Sequence, residues 1–231
     1  MLPSDTTIAH RTLSREDMEA VLGLEPRPTR FEQCTFDGEN LSRLDLHALE
    51  FAACTFEETS FEKSNLAETR WTGCKARQAD FHLADLTDAS FAQSDLNNTS
   101  WVRSKLASTS FVEVKLTGAH LNGAQTLGLS FRESLLIGAD LRGVSFRKQT
   151  LDLLNMSDAD LGGCDFRDAA FNGGSLRDAN MKNAQFAGAD LRTVDLSGLQ
   201  VGNLVQFFKG ATISIDQAAA LIESLGINVM A

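Results

Sequence analysis

Large apolar residues recur along this chain at an interval that neither a helix nor a strand produces. From Phe31 to Val201 every fifth residue belongs to one column of 35 positions, holding thirteen Phe, fifteen Leu, both Trp, two Met and Val201. Only Ala76 and Thr126 depart from it. A helix would repeat at about 3.6 residues and a strand at 2, so a period of five, held without insertion, describes a different object. The position two residues before each large one is Ala, Cys, Ser, Thr, Gly or Val at 28 of 35 places. The pattern predicts a coil with one large and one small inward residue per five, the other three turning a corner and facing water.

The number of sides follows from which residues resemble each other. A three-sided coil stacks residues 15 apart and a four-sided coil residues 20 apart. Sorting the fifteen aromatic positions by 15 spreads them as 4, 6 and 5. Sorting by 20 gathers Phe31, Phe51, Trp71, Phe91, Phe111, Phe131 and Phe171 on one side, with further runs at Phe61, Phe81, Trp101 and at Phe146, Phe166, Phe186. Aromatic ladders need like neighbours above and below, so four sides are expected.

Both flanks read as caps for the ends of such a solenoid. Ser14-Arg15-Glu16-Asp17 is a helix start with a box-like acid at the third position, Met18, Val21 and Leu22 form the stripe, and Gly23 stops it. At the other end the frame fades between Gly202 and Gly210. Asp216 is placed as the cap of a short helix with Ala218, Leu221, Ile222 and Leu225 on one face, ended by Gly226 and followed by Ile227, Val229 and Met230. So short a helix must bury its stripe against something. A simple cap and a two-fold interface are both open; the interface would use Leu221, Ile222, Leu225, Ile227 and Val229. The expected organisation is a cap at residues 1–30, repeats at 31–205, and a cap with a dimerisation helix at 206–231.

Composition fits this frame. Fifteen Phe occur with no Tyr, as expected if a hydroxyl on the axis would lack a partner. Cys34, Cys54, Cys74 and Cys164 all occupy small positions, and they read as reduced filler rather than disulfides or metal ligands. The net charge of -10 argues against direct binding of nucleic acid or an anionic membrane. The N-terminal stretch lacks the apolar run of a signal peptide, so a cytoplasmic protein is expected. His10, His47, His82 and His120 are scattered, and the glycines mostly sit on corners such as Gly118, Gly123, Gly138 and Gly143. Neither a nucleophile elbow nor a phosphate loop is present. No catalysis and no cofactor are expected.

With Ala139-Asp140-Leu141-Arg142-Gly143 and Ala189-Asp190-Leu191-Arg192-Thr193 as its clearest units, the sequence resembles the pentapeptide-repeat family. The resemblance implies an all-β solenoid, a right-handed quadrilateral β-helix with short N-terminal and C-terminal capping helices. The stretch from Leu221 to Val229 is similar to the C-terminal end of the topoisomerase-protecting branch that includes Qnr and MfpA. That likeness implies a homodimer, paired through the C-terminal helix, that binds DNA gyrase or topoisomerase IV as a DNA mimic and protects it from a poison. Some Qnr proteins interrupt their coils with projecting loops; here no insertion breaks the frame, which leaves room for a gyrase toxin other than a fluoroquinolone. The nearest irregularity is Thr126, where Leu127 would point outward.

Mimicry would have to be local. The repeats, taken as a rod of about 42 Å at ~4.8 Å per coil, would match duplex DNA carrying about 25 charges, against a net -10 here. The candidate acidic surface is Asp37, Glu57, Glu58, Glu62, Asp80, Asp85, Asp88 and Asp95, with Glu68 nearby. The alternative is a β-helical interaction scaffold with no topoisomerase role, whose acids keep a stack-prone surface soluble.

Overall fold

The computed structural model describes residues 7–199 and 208–230. Two compact units divide the chain, Met1–Ser130 and Phe131–Ala231. Both are built from the same rung. Each large apolar residue points inward; the residue two positions on takes a left-handed conformation and turns the corner, as at Glu58 (φ 56°), Glu68 (φ 60°) and Gly118 (φ 67°). On most sides the turn is closed by an N–H to C=O bond three residues back, such as Thr59 to Phe56 at 3.2 Å and Ser64 to Phe61 at 3.0 Å. Four such sides return the chain to its starting side after 20 residues. The result is the right-handed quadrilateral β-helix that the family resemblance implied, with the four sides expected from the spacing of 20.

In the first unit, β1 (Thr7–Ala9), β2 (Arg30–Glu32), β3 (Glu50–Ala52), β4 (Arg70–Thr72), β5 (Ser90–Ala92) and β6 (Ser110–Val112) pair in that order, all parallel. Phe31 lies opposite Phe51, Phe51 opposite Trp71, and Phe91 opposite Phe111. In the second unit, β7 (Ser130–Arg132) pairs with β8 (Thr150–Asp152), and β8 with β9 (Ala170–Asn172). Numbering the sides by their first inward residue, the first carries Phe31, the second Phe36, the third Leu41 and the fourth Leu46. Rings stack along them: Phe36 on Phe56 at 4.7 Å, Phe81 on Trp101 at 4.2 Å, and Phe146 on Phe166 at 4.9 Å.

The small positions do more than fill space. Their side chains donate to carbonyls of the neighbouring coil, as Cys54 Sγ does to Phe31 (3.5 Å), Thr59 Oγ1 to Phe36 (2.7 Å) and Cys164 Sγ to Leu141 (3.1 Å). On the first side, where the corner lacks the closing turn bond, the backbone N–H of Cys34 donates to Cys54 Sγ and that of Cys74 to Ser94 Oγ. Burial raises the Cys54 thiol to about 12, Cys74 to about 11 and Cys164 to about 12, so these thiols stay protonated and unreactive.

The frame runs further than its unbroken stretch. Ile8 pairs with Phe31, Leu13 N–H donates to Thr35 O, and Leu13 and Met18 are fully buried. Ile8, Leu13 and Met18 are themselves five apart, and His10, two after Ile8, is left-handed (φ 55°). The N-terminal segment is therefore a partial coil that keeps the rhythm with a spacing of 23 to the next rung. Helix α1 (Arg15–Leu22) completes it, with a capping box between Ser14 and Asp17. Arg15 ties α1 down: its N–H donates to Glu39 Oε2 (2.9 Å) and its Nη1 to the carbonyls of Asn40 and Ser42.

At the other end the frame also resumes. The Phe208 ring stacks on Phe186 at 4.7 Å, Gly210 turns the corner at φ 84°, and Thr212 bridges Asp190. These spacings are 22, two longer than a coil. Helix α2 (Ile215–Glu223) then starts from Ser214, whose side chain accepts from Gln217 N–H. Asp216 is not the cap: it lies in the first helical turn, two residues past the capping Ser214. Gln217 closes the capping box and also donates from Nε2 to the carbonyls of Leu191 and Val194, both at 2.7 Å.

Candidate interaction surfaces

Sorting outward residues by side shows which candidate acids lie together. Asp37, Glu57, Glu58 and Asp95 belong to the second side, Glu62 and Asp80 to the third, and Asp85 and Asp88 to the fourth. The set is therefore spread over three sides of the first unit. Asp37 and Glu57 are stacked neighbours, with Glu57 N–H donating to Asp37 Oδ1 at 2.8 Å.

Several of these carboxylates are already neutralised. Asp95 takes two bonds from Arg77, at 2.8 and 2.7 Å, and their partnership raises the Arg77 pKa. Glu62 pairs with Lys63 at 2.5 Å, which lowers its pKa. Partial burial pushes Asp85 up, but bonds from Lys105 (2.9 Å) and Thr87 (2.7 Å) outweigh it and hold the carboxyl below its usual range. Such exposed pairs add little stability, yet each removes a charge from any long-range field. The second side sets its four carboxylates against Lys75, Arg77 and Lys115, and the third sets Glu62 and Asp80 against Arg43, Lys63 and Arg103. The fourth side differs. There Asp45, Glu68, Asp85 and Asp88 face one repeat cation, Lys105, and Arg27 from the N-terminal segment, which lies 3.9 Å from Asp45. Glu68 was expected beside the candidate set, and Asp45 is the member that its spacing of 40 from Asp85 would have added.

The C-terminal apolar residues divide by direction. Leu221 is buried within its own chain at 9% exposure, whereas Leu225 and Ile227 are each 53% exposed, and Ile222, Val229 and Met230 are also exposed. Beside α2, a cleft of about 450 Å³ is lined by Val194, Leu196, Ala220 and Leu221 among others. Among the described residues no group of three His, Cys, Asp or Glu is placed to hold a metal ion, and no helix is long and apolar enough to cross a membrane.

Family models for pentapeptide repeats match residues 28–101, and then 84–123, 130–168 and 159–198. This chain belongs to the pentapeptide-repeat family. Among solved pentapeptide-repeat structures it is similar to full-length QnrB1, described as a plasmid-mediated fluoroquinolone resistance protein. That likeness has a TM-score of 0.77 at 22% identity, covering 86% of this chain and 100% of QnrB1. A trypsin-treated QnrB1 variant gives 0.75 at 23% identity, covering 87% and 100%. A second trypsin-treated variant gives 0.56 at 20% identity, with 97% of each chain covered. No curated protein matches the sequence. At these identities the likeness is one of fold, and the pentapeptide-repeat rung accounts for it.

Proposed function

We propose that this pentapeptide-repeat protein is a non-catalytic DNA mimic that binds a type II topoisomerase, DNA gyrase or topoisomerase IV, and protects it from a poison. The observation that carries the reading is the fold likeness over the whole of QnrB1, a fluoroquinolone resistance protein. The acidic surplus of the first unit and the similarity of the Leu221–Val229 stretch to Qnr-type C-termini support it. The direct test is gyrase supercoiling with purified protein, with and without a gyrase poison. We expect inhibition or protection at micromolar protein; neither effect there, nor in the matching decatenation assay with topoisomerase IV, would remove the topoisomerase role.

Dimerisation belongs to the same reading, and it rests on the exposed Ile222, Leu225, Ile227 and Val229. A surface of this kind in water favours pairing with a copy of itself. Leu225→Asp should convert a dimer into a folded monomer in light scattering; Leu221 is unsuitable for that test because it packs inside its own chain. A wild-type protein already monomeric would favour a general interaction scaffold of the same fold. The internal pairing of Glu62, Asp85 and Asp95 with Lys63, Lys105 and Arg77 favours that second reading.

A further inference from the structure

The four sides of the first unit are not equivalent, and one of them has the features of a docking face. On the fourth side the outward column centre is a lane of small residues, Ala67, Thr87 and Ala107, each half-buried. The lane is flat enough to bring a partner's backbone close. It ends at Leu127, which is 85% exposed, while Thr126 takes the inward position and the rung continues without a bulge. Leu127 is the most exposed large apolar side chain among the described residues of this unit. The inward position beside it holds the smaller Thr126, so Leu127 does not serve the core of this rung.

Carboxylates line the lane. Asp45, paired with Arg27, and Asp85, paired with Lys105, lie along one edge, and Glu68 and Asp88 stack in the corner column on the other, one coil (about 4.8 Å) apart. Like charges directly opposite on neighbouring strands are destabilising. Asp88 forms no ion pair among the described residues, and Glu68 meets only His47, at 3.4 Å. Stability does not account for this column.

We propose that this side is the surface on which the first unit docks a partner: a protein surface carrying a row of Lys or Arg beside an apolar cleft. The row would face Glu68 and Asp88, which pair with no Lys or Arg among the described residues, while Asp45 and Asp85 on the other edge are held by Arg27 and Lys105. The cleft would take Leu127. The inference rests on the topoisomerase reading for the partner's identity, but the choice of side does not depend on it.

Binding of purified gyrase to the full chain, measured across salt concentrations, tests both parts. Leu127→Ser should weaken binding about tenfold, as loss of a central apolar anchor does. The pair Glu68→Gln with Asp88→Asn should weaken it and flatten its salt dependence. Glu57→Gln with Glu58→Gln, which removes the same charge from the second side, should change it by less than twofold. Equal losses from the two charge pairs, or an unaltered affinity in Leu127→Ser, would overturn the proposal. If the wild type binds no gyrase, the topoisomerase reading fails by itself, and nona-arginine peptide then decides the side. Amide shifts should cluster on the columns of Asp45, Glu68, Asp85 and Asp88; shifts spread equally over the Glu57–Glu58 column would refute the assignment.

Discussion

Trp71 and Trp101 each carry an indole N–H into an axis otherwise packed with hydrocarbon, where an unpaired donor is costly. Both find a partner two residues earlier: Trp71 Nε1 donates to Thr69 Oγ1 at 3.0 Å and Trp101 Nε1 to Thr99 Oγ1 at 2.7 Å. Each threonine in turn donates to the carbonyl three residues back, Leu66 and Leu96. The axis therefore admits a polar group when the small position beside it supplies an acceptor, which refines the reason for the missing Tyr. Thr69→Val keeps the shape but strands the indole N–H, and should cost about 1–3 kcal/mol in urea unfolding. In Trp71→Phe background the same change should cost clearly less, because no indole remains to be stranded. Gly174 shows the reverse constraint: at φ 84° a Cβ there would run into the Leu154 carbonyl.

At the scale of elements, the N-terminal helix has the cap its sequence suggested, whereas α2 starts from Ser214, ends at Glu223 and buries only Leu221 of its expected stripe. The residues that join both helices to the solenoid were not legible. Ser14 and Asp17 form the capping box expected at α1. Ser214, rather than Asp216, begins α2, because the Ser side chain reaches the N–H of Gln217 while Gln217 reaches back. Gln217 then spans from the helix to two carbonyls of the last described full coil, satisfying acceptors that a following rung would otherwise cover. Gln217→Ala should lower stability by about 1–3 kcal/mol, seen as an earlier urea midpoint with little loss of far-ultraviolet signal. Helix propensity alone would give the opposite sign, since Ala is the better helix former. The breaks in phase at 23 and 22 residues hid the end rungs. Ile8, Leu13 and Met18 keep the five-residue step, as do Phe208 and Ile213, yet a single fixed frame from Phe31 to Val201 passes over both sets.

For the molecule as a whole, each rung depends mainly on its neighbours, so stability grows with stacked coils rather than with one closed core. Register is then the constraint. Deleting residues 76–95, one full coil inside the first unit, should leave a folded protein with a cooperative thermal transition. Deleting the fifteen residues 76–90 should not, because every later residue would move to the wrong side and the Phe, Leu and Cys columns would no longer match. Circular dichroism and thermal unfolding of the two variants decide it.

The sequence by itself determined the rung, the number of sides and which residues point inward, since those follow from a local rule repeated 35 times. It also placed Leu127 outside and the cysteines inside. Tertiary structure alone decided what depends on contacts between distant residues: the partial coils at both ends, the burial of Leu221 on the inner face of α2 while Leu225 stays exposed, and the pairing of Asp85 with Lys105 and Asp95 with Arg77. The physical reason is the same in each case. A period states which column a residue occupies, whereas insertions shift the column and flexible side chains choose partners across it, so only the folded chain shows where charges cancel and where they remain.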